Sequence, residues 1–112
     1  MAIYANLTAD QGSSFTATVN ITDSEGNGLD ISGYTYRGQI RKTYTSSTAV
    51  NFSVTATLPS SGEVRLDLTS SQTGGMRAGR YVYDVEIISS GGEVTRVLEG
   101  QFEITPRVTR TV

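Results

Sequence analysis

Apolar and polar residues alternate along most of this chain with a period of two, which is the signature of half-buried β-strands. Phe15, Ala17, Val19 and Ile21 interleave with Thr16, Thr18, Asn20 and Thr22. Tyr34, Tyr36, Gly38 and Ile40 fall on one face of a second run, opposite Arg37, Gln39 and Arg41. Phe52, Val54, Ala56 and Leu58 mark a third, and Val64, Leu66 and Leu68 a shorter fourth. Tyr81, Tyr83, Val85 and Ile87 share one side of a fifth, and Leu98, Phe102 and Ile104 face inward on the last. Ile3, Ala5 and Leu7 add an edge strand or arm within residues 1–10. Gly100 interrupts the last run and predicts a bulge or bend there.

Turn residues separate these runs. Asp23, Glu25, Gly26, Asn27 and Gly28 form an acidic turn with Asn-Gly at its tip, and residues 89–92 (Ser-Ser-Gly-Gly) form a hairpin loop. Thr69 and Gln72 have capping-box spacing, but Gly74 and Gly75 limit any helix to a single turn. The pattern therefore predicts an all-β fold, an antiparallel β-sandwich of about seven strands with at most one short helical turn. Residues 1–106 form one domain, and residues 107–112, after Pro106, a flexible C-terminal tail.

Composition narrows the chemistry. The chain has no histidine and no cysteine, which removes the commonest general base, metal ligand and soft nucleophile together. The remaining polar groups fit structural roles. Asp23, Glu25 and Asn27 resemble the opening of a calcium loop, but Tyr34 stands where the bidentate Glu would be. Asp84 and Glu86 lie about 7 Å apart on one strand face, a spacing open to carboxylate catalysis. Arg80 shares that face, and an Arg beside two acids reads as an ion-pair ladder. No enzyme, cofactor or metal site is expected.

The net charge of −2 provides no bulk field for nucleic acid or membrane, and neither is an expected partner. The start of the chain has no signal-peptide pattern. Lys42 is the only lysine among nine basic residues, so cations are supplied as Arg, the residue suited to bidentate and interface contacts. Six of the nine aromatics are tyrosines. Tyr36, Arg37, Arg41, Arg80 and Tyr83 are candidates for a surface stacking platform, against a core role for the rings. Tyr81, in the segment Gly79-Arg80-Tyr81-Val82-Tyr83, has the look of a corner tyrosine.

The order of landmarks carries a resemblance. It runs from residues 15–21 through the turn 23–28 to Leu29-Asp30-Ile31-Ser32-Gly33-Tyr34, then Gly62-Glu63-Val64-Arg65-Leu66-Asp67-Leu68-Thr69. Gly79-Arg80-Tyr81-Val82-Tyr83-Asp84-Val85-Glu86 and Gly100-Gln101-Phe102-Glu103-Ile104 follow. Over roughly residues 12–105 the chain resembles the immunoglobulin-like β-sandwich of tailed-bacteriophage virion proteins. It is similar to the N-terminal domain of the phage baseplate upper protein family and to small structural proteins of contractile-tailed phages. The sequence stops before that family's helical linker and receptor-binding-protein docking region, so direct docking of such a protein is not expected. The resemblance implies a virion component made in the host cytoplasm and present as a homo-oligomer or in many copies. Its partners would be other virion structural proteins of the tail, baseplate or neck. Ile3, Tyr4 and Leu7 of the N-terminal strand and Arg107, Val108 and Arg110 of the tail are the candidate assembly contacts. A capsid decoration protein on the same fold and a carbohydrate-binding module using the Tyr face are the alternatives.

Overall fold

Each alternating run becomes a strand, and the strands close into two stacked sheets. A computed structural model describes residues 3–23 and 25–108. The strands are β1 (Ile3–Tyr4), β2 (Leu7–Asp10), β3 (Phe15–Asn20), β4 (Thr35–Arg41), β5 (Val50–Asn51), β6 (Ser53–Leu58), β7 (Glu63–Leu68), β8 (Gly79–Ile88) and β9 (Val94–Thr105). The larger sheet has the order β1-β9-β8-β4-β5, with β2 also against β9; the smaller has the order β3-β7-β6. The β4-β8-β9 and β3-β7-β6 triplets have the arrangement of the C-F-G and B-E-D strands of immunoglobulin domains.

Two features account for nine strands instead of seven. The N-terminal strand is split at Ala5 and Asn6, and the 50–58 run is split at Phe52, where the chain leaves β4 and joins β7. Phe52 is buried at the crossing, and its N–H donates to the Gly38 carbonyl at 3.0 Å. A further difference concerns direction. The sandwich is not wholly antiparallel, because β1 and β2 both run parallel to β9. The period of two records which face a residue occupies but not which neighbour its strand chooses, so the sequence carries no sign of this pairing.

The core is continuous between the sheets. Ile31, Val64, Leu66, Val85 and Phe102 are fully enclosed. The Phe102 ring centroid lies 5.1 Å from Phe15, 5.7 Å from Phe52 and 6.3 Å from Tyr83, in edge-on geometries that suit aromatic quadrupoles. The capping box forms: Thr69 Oγ1 accepts from the Gln72 N–H, and Gln72 Oε1 accepts from the Thr69 N–H. It opens the five-residue helix α1 (Ser70–Gly74), and a 3-10 turn at Pro59–Ser61 ends β6.

Gly100 does not mark a bulge. The register shift in β9 comes earlier, opposite Val85 and Glu86. A side chain at position 100 would collide with the backbone of Ala5, whose carbonyl oxygen lies 1.9 Å from where its Cβ would be. The glycine is a crossing point for the N-terminal segment.

Candidate assembly surfaces

Strand parity sends the tyrosines and the arginines to opposite faces, so the proposed platform does not form. Tyr83 is buried, and its hydroxyl donates to the Ala5 carbonyl at 2.6 Å. Tyr36 is half-buried and donates to the Ile31 carbonyl at 2.8 Å. Arg37, Arg41 and Arg80 point the other way, to the outer surface of the larger sheet. The Tyr81 hydroxyl donates to the Arg77 carbonyl at 2.6 Å, four residues upstream, which is the geometry of a corner tyrosine. Lys42 lies 4.9 Å from the centre of that ring and donates to the Arg80 carbonyl.

On the outer surface Asp84 and Glu86 do form ion pairs, but with Arg37 and Arg96 of the neighbouring strands. Arg80, the cation expected beside them, lies opposite Glu103 and has no part in the ladder. Arg37 Nε meets Glu86 Oε1 at 2.8 Å. Arg96 reaches Asp84 Oδ2 at 3.4 Å and Glu99 Oε1 at 3.5 Å. Arg41 donates to the Ser46 carbonyl and to Gln39 Oε1, tying the 43–48 loop to β4. Gln39, Arg41, Tyr44, Asp84, Arg96 and Glu99 line a shallow depression of about 190 Å³. Partial burial there pushes the Asp84 carboxyl above its usual range. Arg96 opposes that shift, while Glu86 and Glu99 add to it. Arg37 and Arg96 are more than half exposed, so the ladder adds little stability and acts as a pattern of charge that a neighbour could read. The acidic turn is self-satisfied: Asp23 Oδ1 accepts from the N–H groups of Glu25 and Asn27.

The candidate contacts divide. Ile3 and Tyr4 are exposed on β1, at 39% and 64%. Leu7 is not a surface contact, because it lies opposite Phe102 and packs on the core. Val108 is exposed; Arg107 lays its guanidinium over Gly12 and close to Gly74. Arg110 lies outside the described residues. The sequence reading missed the sides of the smaller sheet. Among the described residues β3 and β6 each have a strand on one side only, and neither contains a charged residue or a proline. Their Thr-Ala-Thr centres were visible, but which strands lie at an edge depends on the topology.

Comparison with family profiles and with curated proteins finds no match. Among solved structures, CopC from Methylosinus trichosporium OB3b superposes with a TM-score of 0.54 at 16% identity, over 96% of this chain and 90% of that one. The fold is an immunoglobulin-like β-sandwich. Murine CRIg aligns at a TM-score of 0.43 and 12% identity over 92% of each chain. An internalin-like protein of Listeria monocytogenes aligns at 0.45 and 15% identity, over 95% of this chain and 28% of that one.

The Tyr83 hydroxyl sets an alkaline limit on stability. Burial first, and the neighbouring Tyr4 second, push its pKa from 10.0 up to about 12. Below pH 10 the phenol is neutral in both folded and unfolded chains. Between pH 10 and 12 the unfolded chain gives up this proton while the folded chain keeps it, so stability falls as pH rises. The expected loss by pH 12 is about 2 kcal/mol. Burial and Asp30 also raise Tyr36, so a phenolate absorbance titration is expected to show a late tyrosine near pH 12 that disappears in Tyr83→Phe and stays in Tyr36→Phe. A titration unchanged in that variant would count against the assignment.

Proposed function

We propose that the protein is a structural component of a tailed-phage virion, in the tail, baseplate or neck, that acts through contacts between its sheet edges and neighbouring subunits. The observation that supports this most is the edge of the smaller sheet at β3, which among the described residues has no strand beside it and carries no charge, proline or register shift. A soluble β-protein normally protects an edge with lysine, proline, an inward charge or a covering loop, because exposed N–H and C=O groups recruit other strands. An edge left open at β3 suits a chain whose neighbours are supplied by assembly. The Arg–carboxylate ladder on the larger sheet is placed to set the register of such contacts. The virion context comes from the resemblance over residues 12–105. A carbohydrate-binding role is less favoured, since Tyr36 and Tyr83 spend their hydroxyls on the core. Capsid decoration on the same fold is the second reading.

In purified particles the protein is expected in many copies, in tail fractions and not in tail-less heads. A version lacking residues 107–112 should keep its circular dichroism spectrum and lose several-fold in incorporation. Enrichment in heads at a fixed ratio to the major capsid protein would favour the decoration reading. Absence from particles, with no tail, baseplate or capsid genes beside its own, would overturn both.

A further inference from the structure

We infer that β3 is a self-pairing edge, through which two copies of the chain join their smaller sheets into one six-stranded sheet. The inference rests on the assembly reading and names the partner of one edge. β3 pairs with β7 in unbroken register from Phe15↔Leu68 to Asn20↔Glu63, and no strand among the described residues lies on its other side. The other edges are less suited to this. β1 and β5 have two residues each, and β2 has four against the six of β3. β6 carries a register shift between Ala56 and Leu58 and then enters the 3-10 turn.

The core also thins toward β3. On β7, Val64, Leu66 and Leu68 are buried, whereas Phe15, Ala17 and Val19 on β3 are only half-buried. A further strand would complete their cover. A second copy provides one whose side chains match. In an antiparallel pair with Ala17 opposite Ala17, Phe15 falls opposite Val19 and Thr16 opposite Thr18. These are aromatic–β-branched and Thr–Thr pairs, both favourable across strands. Thr16 donates to Asp67 Oδ1 at 2.7 Å, which leaves its lone pairs free to accept from Thr18 of the second copy. A two-fold axis perpendicular to the sheet keeps both apolar faces on the core side, and the contact closes at two copies. β3 of one copy against β6 of another would not close and would give filaments.

The contact is small, so the dimer should be weak and dependent on concentration. Sedimentation equilibrium of the full chain is expected to show monomer and dimer in exchange. Thr18→Glu places a carboxylate beside Arg65, its register partner on β7, so the monomer should fold normally. Across the two-fold axis it sets acids close to one another and should weaken the dimer about tenfold or more. Because the chain has no cysteine, Ala17→Cys should give a disulfide-linked dimer on mild oxidation, whereas Ala56→Cys in β6 should not. Three results would overturn the pairing: a wild-type chain monomeric to about 1 mM, a dimer indifferent to Thr18→Glu, or crosslinking at Ala56 in place of Ala17. None of these bears on the presence of the protein in particles, so the virion reading stands or fails separately.

Discussion

Replacing Phe102 with alanine is expected to cost about 3–5 kcal/mol of folding stability, the range for deleting a fully enclosed phenyl ring. Domains of this kind hold roughly 5–15 kcal/mol in total, so the variant should be on the margin of unfolding. The position explains the size of the effect. Phe102 has no exposed surface and contacts rings from three other places in the fold: Phe15 on β3, Phe52 at the crossing between sheets, and Tyr83 on β8. These rings come from both sheets, so the lost ring leaves a void at their junction that no single strand can close by shifting. Phe102→Leu fills part of that space and should lose less than half as much. Urea unfolding with an unchanged slope and a lowered midpoint would report the loss directly. A thermal midpoint should fall by on the order of 15 °C. A cost of about 1 kcal/mol or less would mean that the sheets are joined elsewhere.

Faces were legible in this sequence, and neighbours were not. Alternation placed Phe15, Leu66, Val85 and Phe102 on the core side, and all four pack between the sheets. The same alternation set Tyr36 opposite Arg37 and Tyr83 opposite Arg80, so a shared platform of rings and cations was already at odds with strand parity. The β-sandwich was readable from the alternating runs and the spacing of the turns, and its immunoglobulin-like form from the resemblance in the order of landmarks over residues 12–105. The parallel pairing of β1 and β2 with β9 was not, since either direction leaves the same residues inside. The sheet change at Phe52 was hidden in the same way: one uninterrupted apolar–polar run serves two sheets. The unguarded edge of β3 depends on the strand order, which local pattern does not encode. Of the candidate contacts, Leu7 misled because an edge strand of a sandwich still has one face on the core. Ile3 and Tyr4 lie ahead of the break at Ala5, where that cover ends.

Replacing Gly100 with alanine is expected to detach the N-terminal strand while leaving the rest of the sandwich folded. The added methyl would stand 1.9 Å from the Ala5 carbonyl oxygen and 2.7 Å from its carbon, and both are backbone atoms that cannot rotate away. Three hydrogen bonds converge at this crossing. The Ala5 N–H donates to the Glu99 carbonyl at 2.9 Å, Tyr83 donates to the Ala5 carbonyl, and the Gln101 N–H donates to Asn6 Oδ1 at 3.1 Å. Lifting residues 3–6 away from β9 breaks all three and leaves the Tyr83 hydroxyl without its acceptor. The expected cost is about 2–4 kcal/mol, combining lost bonds with a buried donor left unsatisfied. Hydrogen exchange should show the amides of Ala5 and Gln101 losing protection while those of β3 and β7 keep theirs. Ionisation of Tyr83 offers an independent readout. Burial is the main cause of its raised pKa, so opening the strand should bring the late tyrosine back from about 12 toward 10.0. The two signals must move together: lost protection at Ala5 with Tyr83 still titrating late would mean that the phenol is enclosed by the core without the strand. Unchanged protection at Ala5 would mean that β9 yields at Gly100 instead, and that the crossing is not what requires a glycine there.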